Sequence, residues 1–250
     1  MAIRLLALDM DGTLLNARQA ISPENRRWIR RAAENGVTVC LASGRGRPTM
    51  LPYYEELGLA GTPFVAVNGG EVWRDESRLL SRRPLDRSLN RRLLAIAEET
   101  DAWFWAYGCE GYYLTKADWD PGFVQEEWLK FGYYAEDREV LARVKAELGR
   151  LGPLEITNSD PNNLEINPPG VSKAAGLAEV CRELGIRMEE TVAVGDSLND
   201  LAMIRQAGIG VAMGNAQPAV KRAADAVVAA NDEDGVAEAI RRFVFGEAAK

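Results

Sequence analysis

Short apolar runs alternate with amphipathic stretches near both ends of the chain. The apolar runs cover residues 3–8, 37–42, 64–67, 191–194 and 209–212. Strands that are apolar on both faces and are separated by helices indicate a mostly parallel sheet with helices on both sides. The pattern therefore predicts an α/β fold.

The stretches between these runs carry the start and stop signals of helices. Ser22 stands at the N-cap position of the first helix, Pro23 lies in its first turn, and Gly36 follows its last residue. The predicted helices cover residues 22–35, 48–57, 172–184 and 198–206, and two more begin near residues 218 and 233, with a short strand at 226–228 between them.

The middle of the chain has a different composition. Twelve of the 19 aromatic residues lie between Trp103 and Tyr134, which indicates a module with its own core. Loop-like sequences at residues 81–84 and 167–170 bound this module, and two linkers mean that it is inserted and can move like a lid. The predicted units are a core domain of residues 1–81 and 168–250 and an inserted α/β cap of residues 82–167.

Within the cap the pattern predicts three helices and four strands. The helices are expected at residues 88–100, 122–130 and 138–148, and the strands at 102–106, 111–115, 154–157 and 163–166. Aromatic residues at alternating strand positions favour a buried cap core, although stacking on a sugar or ring stays open. The aromatic residues concerned are Trp103, Trp105, Tyr107, Tyr112 and Tyr113.

The composition argues against several classes of protein. The chain of 250 residues has a net charge of −7, so it lacks the positive charge of a nucleic-acid-binding protein. No apolar run approaches the roughly 20 residues that cross a membrane, and Asp9 interrupts the first apolar segment too early for a signal peptide. Three scattered cysteines, Cys40, Cys109 and Cys181, indicate reduced thiols. We therefore expect a cytoplasmic monomer or homodimer without nucleic-acid or membrane partners.

The chain contains no histidine. This excludes a Ser-His-Asp triad, a Cys-His pair and His-ligated zinc within this sequence. Acid–base chemistry would then have to come from Asp, Glu, Lys, Tyr or Cys side chains.

Asp9 and Asp11 stand two residues apart where the first predicted strand ends, and Gly12 and Thr13 follow at once. Residues i and i+2 of a strand point to the same side of the sheet. Two like charges about 4 Å apart repel by roughly 4 kcal/mol at an effective dielectric constant near 20. Either a hard cation such as Mg²⁺ keeps both carboxylates ionised, or one of them keeps its proton and serves as an acid.

Three further polar groups stand at predicted strand ends or helix starts. Ser43-Gly44-Arg45 follows the second strand and offers a hydroxyl group and free backbone for binding an anion. Lys173 begins a helix, and residues 195–200 bring two carboxylates and an amide to one loop. Ligands of open α/β sheets bind beyond the carboxyl ends of the strands, so these groups are expected to meet there.

Together these motifs resemble those of the haloacid dehalogenase superfamily, in its Cof-like phosphatase branch. The matching segments are Asp9–Thr13, Ser43–Arg45, Lys173 and Gly195–Asp200, and the resemblance covers essentially the whole chain. It implies a Rossmann-like core, a C2-type α/β cap, bound Mg²⁺ and hydrolysis of small phosphorylated metabolites, most often sugar phosphates.

The resemblance also implies a role for each matching residue. Asp9 is the expected nucleophile that forms an aspartyl-phosphate, and Asp11 is the expected general acid and base. Asp9, the main-chain carbonyl of Asp11, and Asp196 would hold Mg²⁺, whereas Asp200 would either touch the metal or anchor its surroundings. The expected phosphate-binding groups are Ser43, Lys173, Asn199 and the amides of Gly12 and Gly44.

Two residues and two alternative functions stay open at this level. Asn68 either contacts substrate or forms a hairpin turn, and Arg45 either reaches substrate or pairs with a carboxylate of the core domain. A phosphomutase would use the same aspartyl-phosphate but return it to a sugar. A phosphoaspartate signalling module would also use clustered Asp residues, a hydroxyl and a Lys, although its phosphoacceptor belongs on a later strand than the acidic pair.

Overall fold

A computed structural model describes residues 2–247 of the chain. The first elements are β1 Leu5–Leu8, α1 Pro23–Glu34, β2 Thr38–Ala42, α2 Arg47–Leu57, β3 Phe64–Ala66, β4 Glu71–Trp73 and β5 Leu79–Arg82. Next come α3 Asn90–Thr100, β6 Trp103–Gly108, β7 Tyr113–Thr115, β8 Trp128–Tyr134, α4 Arg138–Leu148, β9 Glu155–Thr157 and β10 Asn163–Asn167. The last are α5 Lys173–Leu184, β11 Thr191–Gly195, α6 Leu201–Gln206, β12 Ile209–Ala212, α7 Pro218–Ala223, β13 Ala226–Val227 and α8 Gly235–Ala239.

The apolar runs form one large sheet, as the sequence pattern predicts. Its strand order is β13-β12-β11-β1-β2-β3-β4-β5. The strands from β13 to β3 are parallel, and β4 and β5 continue the sheet as antiparallel hairpins. Strand β1 lies in the middle, where Leu8 pairs with Val194 on one side and Leu41 on the other. Separate apolar clusters cover the two faces of the sheet, so the predicted α/β fold is confirmed.

A second, antiparallel sheet has the strand order β7-β6-β8-β10-β9. We call this sheet and its helices α3 and α4 the cap, and the remaining elements the core. Both helices pack on one face of the cap sheet, where Phe104, Phe131 and Val144 belong to a common buried cluster. The other face of the cap sheet is turned towards the carboxyl ends of the core strands. Strand β5 ends at Arg82, and β10 ends at Asn167. These strand ends lie next to the predicted limits of the cap, residues 82 and 167, and the limits themselves stay a prediction.

The predicted helix at residues 122–130 is wrong. A short 3-10 turn, Pro121–Gln125, occupies its first half, and β8 begins at Trp128 and becomes the central strand of the cap sheet. In β8, Phe131 and Tyr133 point into the helix-facing cluster, while Lys130 lines the cavity on the opposite face. Pairing with β6 and β10 therefore overrides the helical preference of the polar residues that precede the strand.

None of the helices within residues 2–247 is both long enough and apolar enough to cross a membrane.

Candidate active site

The candidate residues gather where the parallel core strands end. The Asp9 amide donates to the Val194 carbonyl at 3.1 Å, so the chain stays beside β11 as it leaves β1. Ser43 continues β2 in the same way, with its amide 2.9 Å from the Val65 carbonyl. Parallel strands bring their carboxyl ends to one edge, and this is why motifs far apart in sequence meet here.

Lys173 is the centre of the site. Its side chain is fully buried, and its ammonium group donates to Asp9 Oδ1 at 2.5 Å and to Asp200 Oδ1 at 2.7 Å. Burial alone would lower the pKa of Lys173, but attraction to Asp200 and Asp9 outweighs it and raises the pKa above its ordinary value. Ser172 caps α5 by accepting from the Ala175 amide at 3.1 Å, which places Lys173 in the first turn of that helix.

The loop after β11 orients two more carboxylates. Asp200 Oδ2 accepts from the backbone amides of Asp196 and Ser197 at 2.9 and 3.0 Å. The two oxygens of Asp196 accept from the hydroxyl groups of Thr13 at 3.0 Å and Ser197 at 2.9 Å. Each acidic side chain is therefore held in one orientation by several donors.

The arrangement fits a hard divalent cation. Carboxylate oxygens of Asp9, Asp196 and Asp200 lie within 4.8 Å of one another, and all three residues are buried. Lys173 supplies one positive charge against three negative ones, which leaves an excess of buried negative charge. Oxygen donors in such a cluster are the ligands that Mg²⁺ prefers. The Asp11 carboxylate is not in this group, and coordination by its main-chain carbonyl stays a prediction.

The pKa values of the acidic residues reflect this excess of negative charge. Burial, followed by repulsion from Asp200, raises the pKa of Asp9 well above its ordinary value despite the nearby Lys173. Burial and the same neighbour raise the pKa of Asp196 to about 6. Both carboxyl groups therefore resist ionisation unless a cation compensates their charge.

Asp11 and Arg45 form a pair at the edge of the site. Arg45 donates from Nε to Asp11 Oδ2 at 2.7 Å and from Nη2 to Asp11 Oδ1 at 2.6 Å. The guanidinium group also lies over the Tyr53 ring, 5.3 Å from its centroid. The sequence left open whether Arg45 reaches substrate or pairs with a carboxylate of the core domain. In the structure it pairs with the carboxylate of Asp11.

The remaining predicted residues lie nearby. Asn68 adopts a left-handed conformation with φ 58° in the turn between β3 and β4, and its side chain is buried. Its Oδ1 accepts from Asn199 Nδ2 at 3.3 Å, and Asn199 lines the cavity described below. Gly44 also lines that cavity, and Gly12 packs so closely on Asp196 that an added Cβ would lie 2.7 Å from its Oδ2.

A cavity of about 970 Å³ separates the acidic cluster from the cap sheet. The core contributes the side chains of Asp9, Asp11, Ser43, Arg45 and Asn199 to its walls. The cap contributes a wall of five aromatic residues, Trp103, Trp105, Tyr107, Tyr113 and Tyr134, which we call the aromatic wall. The cavity is much larger than a phosphate group, so it has room for the organic part of an ester.

None of the aromatic residues predicted for the cap core belongs to the buried cluster of the cap, although Trp105 and Tyr107 are themselves buried. Along β6, Phe104 and Ala106 point into the helix-facing cluster, whereas Trp103 and Trp105 point into the cavity. Tyr112, which the same prediction included, is 63% exposed and does not line the cavity. Alternation along a strand separates two faces but does not say which face is turned towards the cap helices.

Two buried residues of the site were missed in the sequence. Lys130 and Glu165 lie on the cavity face of the cap sheet, and both line the cavity. A charged side chain in the apolar segment of β8 was the available signal for Lys130, because lysine is rarely buried without a partner. Glu165 precedes Lys173 by eight residues in a polar segment, and no pattern there singles it out.

An acidic cluster that could hold a cation, next to a buried ammonium group, suits chemistry on phosphate groups. The fold that carries this cluster is an α/β core with a cap over the carboxyl ends of its strands. The sequence matches the haloacid dehalogenase-like hydrolase family over residues 6–146 and 123–240, and the chain belongs to this family.

Relatives and solved structures agree with this assignment. The chain is 43% identical over 243 residues to the 5-amino-6-(5-phospho-D-ribitylamino)uracil phosphatase YcsE of Bacillus subtilis, covering 97% of this chain and 96% of the relative. A haloacid dehalogenase-like hydrolase from Bacteroides thetaiotaomicron is 34% identical with a TM-score of 0.80, over 96% of this chain and 99% of that one. Another from B. subtilis is 26% identical with a TM-score of 0.86, over 96% and 100%. The protein is accordingly a phosphoric monoester hydrolase, which argues against the signalling module.

Proposed function

We propose that this protein is a Mg²⁺-dependent phosphatase that hydrolyses small phosphorylated metabolites through an aspartyl-phosphate on Asp9. The observation that carries the proposal is the buried Lys173 ammonium group, 2.5 Å from Asp9 and 2.7 Å from Asp200, within an acidic cluster that opens into a large cavity. This geometry supports assigning the roles of carboxylate nucleophile, cationic phosphate anchor and metal ligands to one cluster.

In the first step, the Asp9 carboxylate attacks phosphorus, and the bond between phosphorus and the ester oxygen breaks. Asp11, in its protonated form, donates its proton to the departing oxygen, and an alcohol leaves. In the second step, water attacks the phosphorus of the aspartyl-phosphate and gives a proton to Asp11. Inorganic phosphate leaves, and the Asp9 carboxylate is restored.

The other residues bind the phosphoryl group or the metal. Asp9, Asp196 and Asp200 would hold Mg²⁺, which supplies positive charge that screens the phosphate from the attacking carboxylate. Ser43 and Asn199, which line the cavity, are the proposed donors to phosphoryl oxygens, together with Lys173.

The aromatic wall favours substrates that carry a flat ring. The name of the B. subtilis relative describes a uracil ring joined through a ribityl chain to a phosphate. Trp103 and Tyr134 are each 37% exposed in the cavity wall, so their ring surfaces are open to a ligand. We therefore propose a phosphate ester of a polyol that carries a nitrogen heterocycle, in preference to a plain sugar phosphate.

The test is hydrolysis of 5-amino-6-(5-phospho-D-ribitylamino)uracil and of simple sugar phosphates, with Mg²⁺ and with EDTA. We expect Mg²⁺-dependent release of phosphate, and Asp9→Asn should abolish it without unfolding the protein. The matched control is Asp101→Asn, an exposed residue with φ 56°, a conformation that asparagine tolerates. Borohydride trapping should label Asp9. Near-normal turnover by Asp9→Asn, or a label on another residue, would refute the mechanism.

A further inference from the structure

A buried ion pair on the cap sheet reaches across the cavity to the core. Lys130 on β8 and Glu165 on β10 are 5% and 4% exposed, and Lys130 Nζ lies 3.1 Å from Glu165 Oε1. Burying two charges costs several kcal/mol per ion unless further hydrogen bonds satisfy them. The contacts that satisfy this pair therefore indicate what the pair does.

Each member of the pair makes a contact with a core loop, and Glu165 Oε1 also accepts from the Ser159 hydroxyl group of the cap at 3.1 Å. Lys130 Nζ donates to the Gly44 carbonyl at 2.7 Å, and Glu165 Oε2 accepts from Asn68 Nδ2 at 2.6 Å. Gly44 follows β2, and Asn68 follows β3. Although burial disfavours the charged form of Glu165, attraction to Lys130 and the Asn68 hydrogen bond hold its pKa below the ordinary value. The pair thus joins the cap to two loops of the core as charged groups.

Both contacts lead to Ser43. Lys130 binds the Gly44 carbonyl, which shares one planar peptide unit with the Arg45 N–H. That N–H donates to Ser43 Oγ at 3.1 Å. Asn68, whose side chain Glu165 binds, donates from its backbone N–H to the Ser43 carbonyl at 2.9 Å. The ion pair therefore fixes Ser43 from its side chain and from its backbone. With its Oγ accepting from Arg45, Ser43 keeps its own proton to donate.

We propose that Lys130 and Glu165 are positioning residues through which the cap aims the Ser43 hydroxyl at a phosphoryl oxygen. This rests on the proposed function, in which Ser43 binds the transferring group. Gly44 allows the approach, because an added Cβ would lie 3.4 Å from Lys130 Nζ and 3.1 Å from Asn68 Oδ1. Withdrawal of the cap removes both contacts, so the phosphate-binding loop is complete only when the cap covers the substrate.

The test is a double-mutant cycle between the pair and Ser43. The variant K130M/E165Q removes both charges without leaving one buried alone, and the introduced amide group keeps an acceptor for Asn68. We expect kcat/KM for acetyl phosphate, which is too small to reach the aromatic wall, to fall about tenfold. In an S43A background the same double substitution should lower kcat/KM for acetyl phosphate about twofold or less, because its effect depends on the Ser43 hydroxyl group.

Two further variants separate positioning from general damage. Lys116→Met removes an exposed cap lysine that pairs with Asp101 at 3.2 Å, and its kcat/KM should equal that of the wild type. Gly44→Ala disturbs the Asn68 side of this linkage from the core, because an added Cβ would lie 3.1 Å from Asn68 Oδ1. It should show the same coupling to Ser43, even if K130M/E165Q fails to fold.

The outcomes distinguish this proposal from the one on which it rests. Equal losses with and without the Ser43 hydroxyl, or no loss at all, would overturn the positioning role while the wild-type enzyme still hydrolyses phosphate esters. A wild-type protein without Mg²⁺-dependent phosphatase activity would instead overturn the proposed function itself.

Discussion

Arg45 holds both carboxylate oxygens of Asp11 through parallel hydrogen bonds of 2.6 and 2.7 Å. A bidentate pair of this kind fixes the direction of a carboxyl group. Arg45 also belongs to the loop of Ser43, whose hydroxyl accepts from its backbone. Phosphate binding and proton transfer, as we propose them, therefore depend on one short loop after β2.

Arg45→Met should lower kcat/KM about tenfold, because Asp11 loses the partner that orients it. The loss should be larger for alkyl phosphates than for p-nitrophenyl phosphate, whose leaving group needs less protonation. Arg45→Lys should recover only part of the activity, since a single ammonium group cannot make two parallel bonds. Steady-state kinetics with both substrates measure this, with the exposed Arg18→Met as control. Wild-type rates for Arg45→Met would contradict the role.

Gly12→Ala should impair Mg²⁺ binding through Asp196. Gly12 has φ +81°, and an added Cβ would lie 2.7 Å from Asp196 Oδ2. Gly36 has φ +83° with nothing within 4 Å of an added Cβ, so Gly36→Ala is a matched control for backbone strain. Both substitutions should reduce the free energy of unfolding by roughly 1 kcal/mol or more. Only Gly12→Ala should also weaken Mg²⁺ binding by calorimetry, and equal affinities in the two variants would contradict this.

Mg²⁺ affinity should fall as the pH drops through about 6, the raised pKa of Asp196 in the metal-free protein. Below that pH the carboxyl group is protonated, and the cation must displace the proton to bind. Each carboxyl proton that the cation displaces makes the affinity fall about tenfold per pH unit. Calorimetry in buffers of different ionisation enthalpy would detect the released proton. The range from pH 5 to pH 7 extends roughly one unit on either side of that pKa. If the Mg²⁺ affinity were constant over this range, Asp196 would not be a ligand.

Trp103→Ala and Tyr134→Ala should each lower kcat/KM about fivefold for a ring-bearing phosphate ester, because each removes part of the stacking surface. Neither should change kcat/KM for acetyl phosphate. Tyr112→Ala is the matched control, since Tyr112 is an exposed cap tyrosine outside the cavity. Equal losses on both substrates would indicate damage to the cap rather than lost stacking.

The core was predictable because its signals are local. Near-continuous apolar strands such as β1 and β11 can be buried only inside a parallel sheet, and the carboxyl ends of such strands converge. The positions of Asp9, Ser43 and Asp196 at strand ends thus predict that they lie near one another. The helix cap at Ser22 was equally predictable, because it depends on a few adjacent residues.

The cap was less predictable because its elements depend on distant partners. Residues 128–134 form a strand because β6 and β10 lie on either side of them, and a local window contains neither neighbour. The same limit applies to the site, where Arg45 is 34 residues from Asp11, and Lys130 is 35 residues from Glu165.

The sequence by itself determined the parallel strands of the core sheet and the acidic, hydroxyl and ammonium groups at their ends. Tertiary structure decided which face of the cap sheet meets the cavity, and with it the aromatic wall. It also decided that Arg45 pairs with Asp11 and that Lys130 reaches Gly44. The physical reason is that periodicity reports how a side chain alternates along its own element, whereas burial and pairing depend on which other element packs against it.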